Sequence, residues 1–106
     1  MGKKESLIII KKFVENLRKD FVIHNVIFFG SRAEGKGHEH SDIDLIVISD
    51  GFEGMDFFER VSKMYKHWEG LVPVDFLCYT VREFESLRKK VSIVSEALRS
   101  GIVVKG

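Results

Sequence analysis

The run Asp42-Ile43-Asp44-Leu45-Ile46-Val47-Ile48-Ser49 constrains the fold of this 106-residue chain more than any other segment. From Leu45 to Ile48 the apolar residues do not alternate with polar ones, so the segment reads as a strand covered on both faces. Yet it opens with two carboxylates. Side chains two apart on a strand project to the same face, so Asp42 and Asp44 point the same way, with Cα atoms about 6.5–7 Å apart. Two ionised carboxylates side by side repel one another unless a cation sits between them. Oxygen ligands suit magnesium, and two such residues can serve a pair of ions. Taken alone, Asp42-Ile43-Asp44 fits a solvated strand start equally well, with Ser41 and Asp42 in a turn.

The neighbouring segments give this strand its context. Leu7, Ile10, Val14, Leu17 and Phe21 step by three and four, which predicts an amphipathic helix with Lys11, Lys12, Glu15 and Arg18 toward solvent. Phe21 to Phe29 is rich in β-branched and aromatic residues and predicts a strand, stronger in its second half, that stops at Gly30. Ser31 to Lys36 reads as a short helical turn, followed by a polar loop holding Gly37, His38, Glu39 and His40. After a turn at 50–54, Phe57, Val61, Met64 and Trp68 share one helix face, with Gly70 as the stop. Val72 to Tyr79 reads as a third strand, with Pro73 near its start, where proline is tolerated. Thr80 and Glu83 form a capping-box pattern. Phe84, Leu87, Val91, Val94 and Leu98 then make a second apolar stripe, which the pattern leaves as either one helix or two. Gly101 is the expected helix stop, and Ile102-Val103-Val104 a last short strand.

The helix between the second and third strands favours a parallel pair, whereas the short link between the first and second allows either direction. The expected class is α/β (α+β): a small mixed sheet with helices mainly on one side. The length suits a single domain over 1–106, with no repeat or linker. Net charge is +1, so no strongly basic face points to nucleic acid. No apolar run approaches the roughly 20 residues of a membrane span, and no leader pattern precedes the first helix. The single Cys78, in an apolar run, reads as a buried thiol and fits a reducing cytoplasm. His38 and His40 lack a second ligand cluster for zinc. His24 and His67 read as surface residues, Tyr65 and Trp68 as core packing.

Three further residue groups bear on chemistry. Val74-Asp75-Phe76 places a third carboxylate in an apolar strand, which is costly unless the carboxylate is paired or metal-bound. If the third strand lies beside the second, Asp75 joins the face of Asp42 and Asp44. The alternative is a partner of opposite charge. Gly30-Ser31 follows a strand, and a glycine there lets backbone approach a ligand while the following turn offers N–H groups and the Ser31 hydroxyl to a phosphate. Arg32 would add charge in a forked geometry. The alternative is an ordinary strand-to-helix cap, and the segment lacks the Gly-Lys-Ser/Thr ending of a Walker loop.

Together, Gly30-Ser31, the ten residues from Arg32 to Ser41, Asp42-Ile43-Asp44 and the later Asp75 resemble the nucleotidyltransferase superfamily that includes DNA polymerase beta. The Gly-Ser-Arg-Ala opening and the Ser-Asp-Ile-Asp-Leu strand are similar to the minimal nucleotidyltransferases (MNT), often paired with HEPN proteins as toxin–antitoxin modules. The likeness covers about residues 5–80, with 81–106 a looser helical tail. It implies an αβαβαβ core with a mixed three-stranded sheet. It implies that Gly30 and Ser31, with Arg32 beside them, hold the β- and γ-phosphates of a nucleoside triphosphate such as ATP. It also implies that Asp42 and Asp44 hold two Mg²⁺ ions and that Asp75 completes the catalytic set. The implied activity is transfer of a nucleoside monophosphate, AMP from ATP, to a hydroxyl of a HEPN-type protein partner. Two other readings stay open: an antitoxin that binds nucleotide and acts by occlusion, and an antibiotic-type small-molecule nucleotidyltransferase. The surface that binds the acceptor is expected from a partner or from a second copy in a homo-oligomer.

Overall fold

A computed structural model describes residues 2–36 and 42–105. The expectations placed on His38, Glu39, His40 and Ser41 therefore lie outside the described residues. Helix α1 (Lys3–Leu17) leads to strand β1 (Asn25–Phe29) and then to β2 (Ile43–Ile48). A single 3-10 turn (Asp50–Phe52) precedes helix α2 (Phe57–Lys66), strand β3 (Val74–Tyr79), helices α3 (Val81–Arg88) and α4 (Ile93–Ser100), and strand β4 (Ile102–Lys105). The sheet order is β3-β2-β1-β4. β1 runs antiparallel to β2 and to β4, and β2 runs parallel to β3. The helix-containing link between β2 and β3 thus gives the parallel pair, and the short link gives the antiparallel one. β4 makes the sheet four-stranded rather than three-stranded.

The doubly apolar strand decides the layering. Ile43, Leu45 and Val47 of β2 join Val26, Phe28, Val74 and Phe76 in one core, covered by Ile10, Phe13, Val14 and Leu17 of α1 and Met64 of α2. Ile46 and Ile48 join Ile27 in a second core, covered by Phe84 of α3 and by Val94 and Ala97 of α4. Helices therefore lie on both sides of the sheet, not mainly on one. A strand apolar on both faces leaves half its side chains in water unless both faces are covered.

The C-terminal stripe is two helices. Val91 is 96% exposed at the break, and the Ser92 hydroxyl accepts from the Ser95 N–H to open α4. The same hydroxyl donates to the Leu87 carbonyl at 2.8 Å, closing α3. The α2 stripe is shorter than its spacing implied: Phe57 is 59% exposed, and Trp68 lies beyond the helix, its ring 5.4 Å from that of Phe13. Phe21 likewise lies beyond α1 and faces Phe52. Gly101 ends α4 with φ −75°, not in the left-handed region. Its role is close approach, since a Cβ there would strike the Ala97 carbonyl. The Thr80–Glu83 capping box forms as expected, and Cys78 is a buried free thiol whose pKa burial pushes up to about 12.

Candidate active site

The end of β1 and the starts of β2 and β3 meet on one edge of the molecule. In the ladder Phe29 pairs with Asp44, and Asp44 pairs with Asp75. Residues in register on neighbouring strands share a face and lie about 4.8 Å apart, so the two carboxylates stand side by side. Asp42, just before β2, lies close enough for its charge to act on both Asp44 and Asp75. The structure thus brings together all three aspartates expected from the sequence.

Their electrostatics reflect that crowding. Burial first, then the charges of Asp75 and Asp42, push the Asp44 carboxyl up to about 6. Asp75 is also raised, by burial first and then by the neighbouring Asp42. Hard oxygen donors crowded together are the donor set a divalent cation suits. Among the described residues, no group of three or more His, Cys, Asp or Glu side chains is arranged to hold an ion. The chemistry of a metal site is present, whereas convergence of the donors on one point is not preformed.

Gly30 joins the strand to this cluster. Its φ is +84°, a left-handed conformation that suits glycine. A Cβ at Gly30 would land on the Asp44 carboxylate, so the missing side chain is what lets the acid lie against the turn. The turn beyond it is closed by hydrogen bonds from Glu34 N–H to the Gly30 carbonyl at 3.1 Å and from Lys36 N–H to the Ser31 carbonyl at 2.8 Å. It is a hydrogen-bonded turn rather than a helix. Ser31 is exposed at its head. Among the described residues, the N–H groups of Ser31 and Ala33 donate to no backbone carbonyl. Arg32 is placed differently from the expectation of an open phosphate contact: it is 2% exposed and engaged within the protein.

One neighbour was not legible as part of this site. Tyr65, expected in the core, is 48% exposed. Its hydroxyl donates to the Val74 carbonyl, adjacent to Asp75, and its ring meets the edge of Phe76 at 5.0 Å. Burial and the charges of Asp75 and Asp42 raise its pKa. The available signal was its place near the end of α2, one short link from β3, off the stripe that carries Met64. A cavity of about 760 Å³ lined by His24, Asp50 and His67 lies apart from the three aspartates.

Known proteins share this arrangement of sequence and fold. The model of the Nucleotidyltransferase domain family matches residues 10–104. The Haemophilus influenzae protein named probable protein adenylyltransferase MntA is 34% identical over 96 residues, which is 87% of this chain and 80% of that protein. A crystal structure described as a nucleotidyltransferase from Sulfolobus solfataricus superposes with TM-score 0.69 at 24% identity, covering 95% of this chain and 80% of that one. A toxin-antitoxin crystal structure with AMP-PNP superposes with TM-score 0.64 at 23% identity, covering 91% and 72%. These last two likenesses speak to the fold. The family match over nearly the whole chain and the MntA relative carry the assignment: this chain belongs to the nucleotidyltransferase domain family, on its minimal, MntA-like branch.

Proposed function

We propose that this nucleotidyltransferase is an adenylyltransferase that moves AMP from ATP to a hydroxyl of a protein partner, as the antitoxin of a HEPN-type toxin. The observation that carries the reading is the cross-strand pair Asp44–Asp75, with the charge of Asp42 beside it and Gly30 folded against it. The names of the relatives support the nucleotide and the partner: one is a protein adenylyltransferase, and one superposing structure is a toxin-antitoxin with an ATP analogue.

In this reading the backbone at Gly30 and Ser31 and the Ser31 hydroxyl receive the β- and γ-phosphates, with Arg32 as charge behind the turn. Asp42, Asp44 and Asp75 would hold Mg²⁺, expected as two ions. When bound, the metal neutralises phosphate charge and stabilises the leaving oxygen. The acceptor oxygen attacks the α-phosphorus in line, the bond to the β-phosphate oxygen breaks, and pyrophosphate leaves. Asp75 accepts the proton of the acceptor hydroxyl.

The test is incubation with Mg²⁺, α-labelled ATP and the partner that co-purifies. Label on the partner, abolished by Asp44→Ala, is the expected result. Label that survives Asp44→Ala removes this site from the reaction. An unlabelled partner whose toxicity is still neutralised favours occlusion.

A further inference from the structure

We propose that Tyr65 is a positioning residue of the acidic site: its hydroxyl holds the outward carbonyl of Val74 and thereby sets Asp75 against Asp42 and Asp44. The inference rests on the reading of Asp75 as part of that site.

β3 is an edge strand. In the parallel ladder the Ile43 N–H donates to the Pro73 carbonyl at 2.9 Å, and the register pairs Ile43 with Val74. Alternate carbonyls of β3 therefore turn away from β2. Val74 and Cys78 present two of these. Helix α2 answers both with side-chain donors: Arg60 Nη1 reaches the Cys78 carbonyl at 3.1 Å, and the Tyr65 hydroxyl reaches that of Val74.

The two clasps differ in their backing. Arg60 is also held by Glu83, at 2.6 Å, and by the Met55 carbonyl, at 3.0 Å. At the other end Pro73 has no N–H to give. Among the described residues, the Tyr65 hydroxyl is the side-chain donor on the outward edge where β3 begins. Asp75 is the next residue along. A half-exposed ring contributes less to the core than a buried one, so the hydroxyl and its placement beside the carboxylates account for the residue better than packing does.

The test compares Tyr65→Phe with Trp68→Phe. The second variant removes a similar bond nearby, from the indole N–H to the Val72 carbonyl at 3.0 Å, but not at Asp75's neighbour. Free Mn²⁺ is titrated by electron paramagnetic resonance, transfer is measured with α-labelled ATP and the co-purifying partner, and stability is measured in urea. Tyr65→Phe is expected to weaken Mn²⁺ binding by about tenfold and to lower kcat with KM for ATP unchanged. Trp68→Phe is expected to leave both within about twofold. Unaltered Mn²⁺ affinity in Tyr65→Phe overturns the inference, as do losses in the two variants that simply follow their stabilities. If the wild-type protein transfers no label while Tyr65→Phe still weakens Mn²⁺ binding, the inference stands and the proposed activity falls. A wild-type protein that binds no Mn²⁺ overturns both.

Discussion

At the scale of single residues, the site depends on what Gly30 lacks. Its φ of +84° and the Asp44 carboxylate in its Cβ position act together. Gly35 has φ +75° with nothing near its Cβ position. Gly30→Ala is expected to cost about 2–3 kcal/mol in urea denaturation and Gly35→Ala only about 1, because both carry the conformational penalty and only the first displaces a side chain. Equal costs would mean that the carboxylate yields freely. Asp44 gives a pH signature. Its folded value near 6 lies above the ordinary 3.8, so between these limits the folded state holds more protons than the unfolded one, and stability falls as pH rises through the window. Asp44→Asn is therefore expected to be more stable than the wild type at pH 7–8 without divalent cations, with the difference vanishing below pH ~4. A variant less stable than the wild type at pH 8 in chelator would refute the crowding described here.

At the scale of elements, the Arg60–Glu83 pair joins α2, β3 and α3. The guanidinium beside Glu83 holds that carboxyl below its ordinary 4.5. Its contribution is present above that value and is lost as pH falls through the folded value. Glu83→Gln is thus expected to destabilise at pH 7, with the difference from the wild type shrinking as pH falls below 4.5. Arg60→Ala is expected to cost about 2–3 kcal/mol at neutral pH, since the Met55 and Cys78 carbonyls lose their donor as well. Element types were readable from the sequence where local chemistry determines them. Thr80 and Glu83 announce a helix start because the box closes within four residues. The break between α3 and α4 was not readable from spacing, because Val91 keeps the helical interval although it faces water. Only the hydroxyl bonds of Ser92 reveal it. Tyr65 escaped for a similar reason: its partner, the Val74 carbonyl, is fixed by the placement of α2 along β3.

At the scale of the whole molecule, β2 links two cores that share one sheet. Ile46 is fully buried in the core under α3 and α4, while Val103 on β4 is 55% exposed. Ile46→Ala is expected to cost about 2–5 kcal/mol and Val103→Ala under about 0.5, both by urea denaturation. A small effect at Ile46 would mean that the second layer is not a true core.

The sequence by itself determined the buried central strand, the acids at its head and the glycine turn before it, because alternation, charge repulsion and backbone freedom act within a few residues of chain. The resemblance carried by Asp42, Asp44 and Gly30-Ser31 extended that reading to the family. Only the tertiary structure decided that helices cover both faces, that Asp75 stands in register with Asp44, that Arg32 is buried, and that Tyr65 clasps the start of β3. Each of these depends on how separate elements pack against one another. Such contacts follow from how the layers stack to bury apolar surface, which no local pattern encodes.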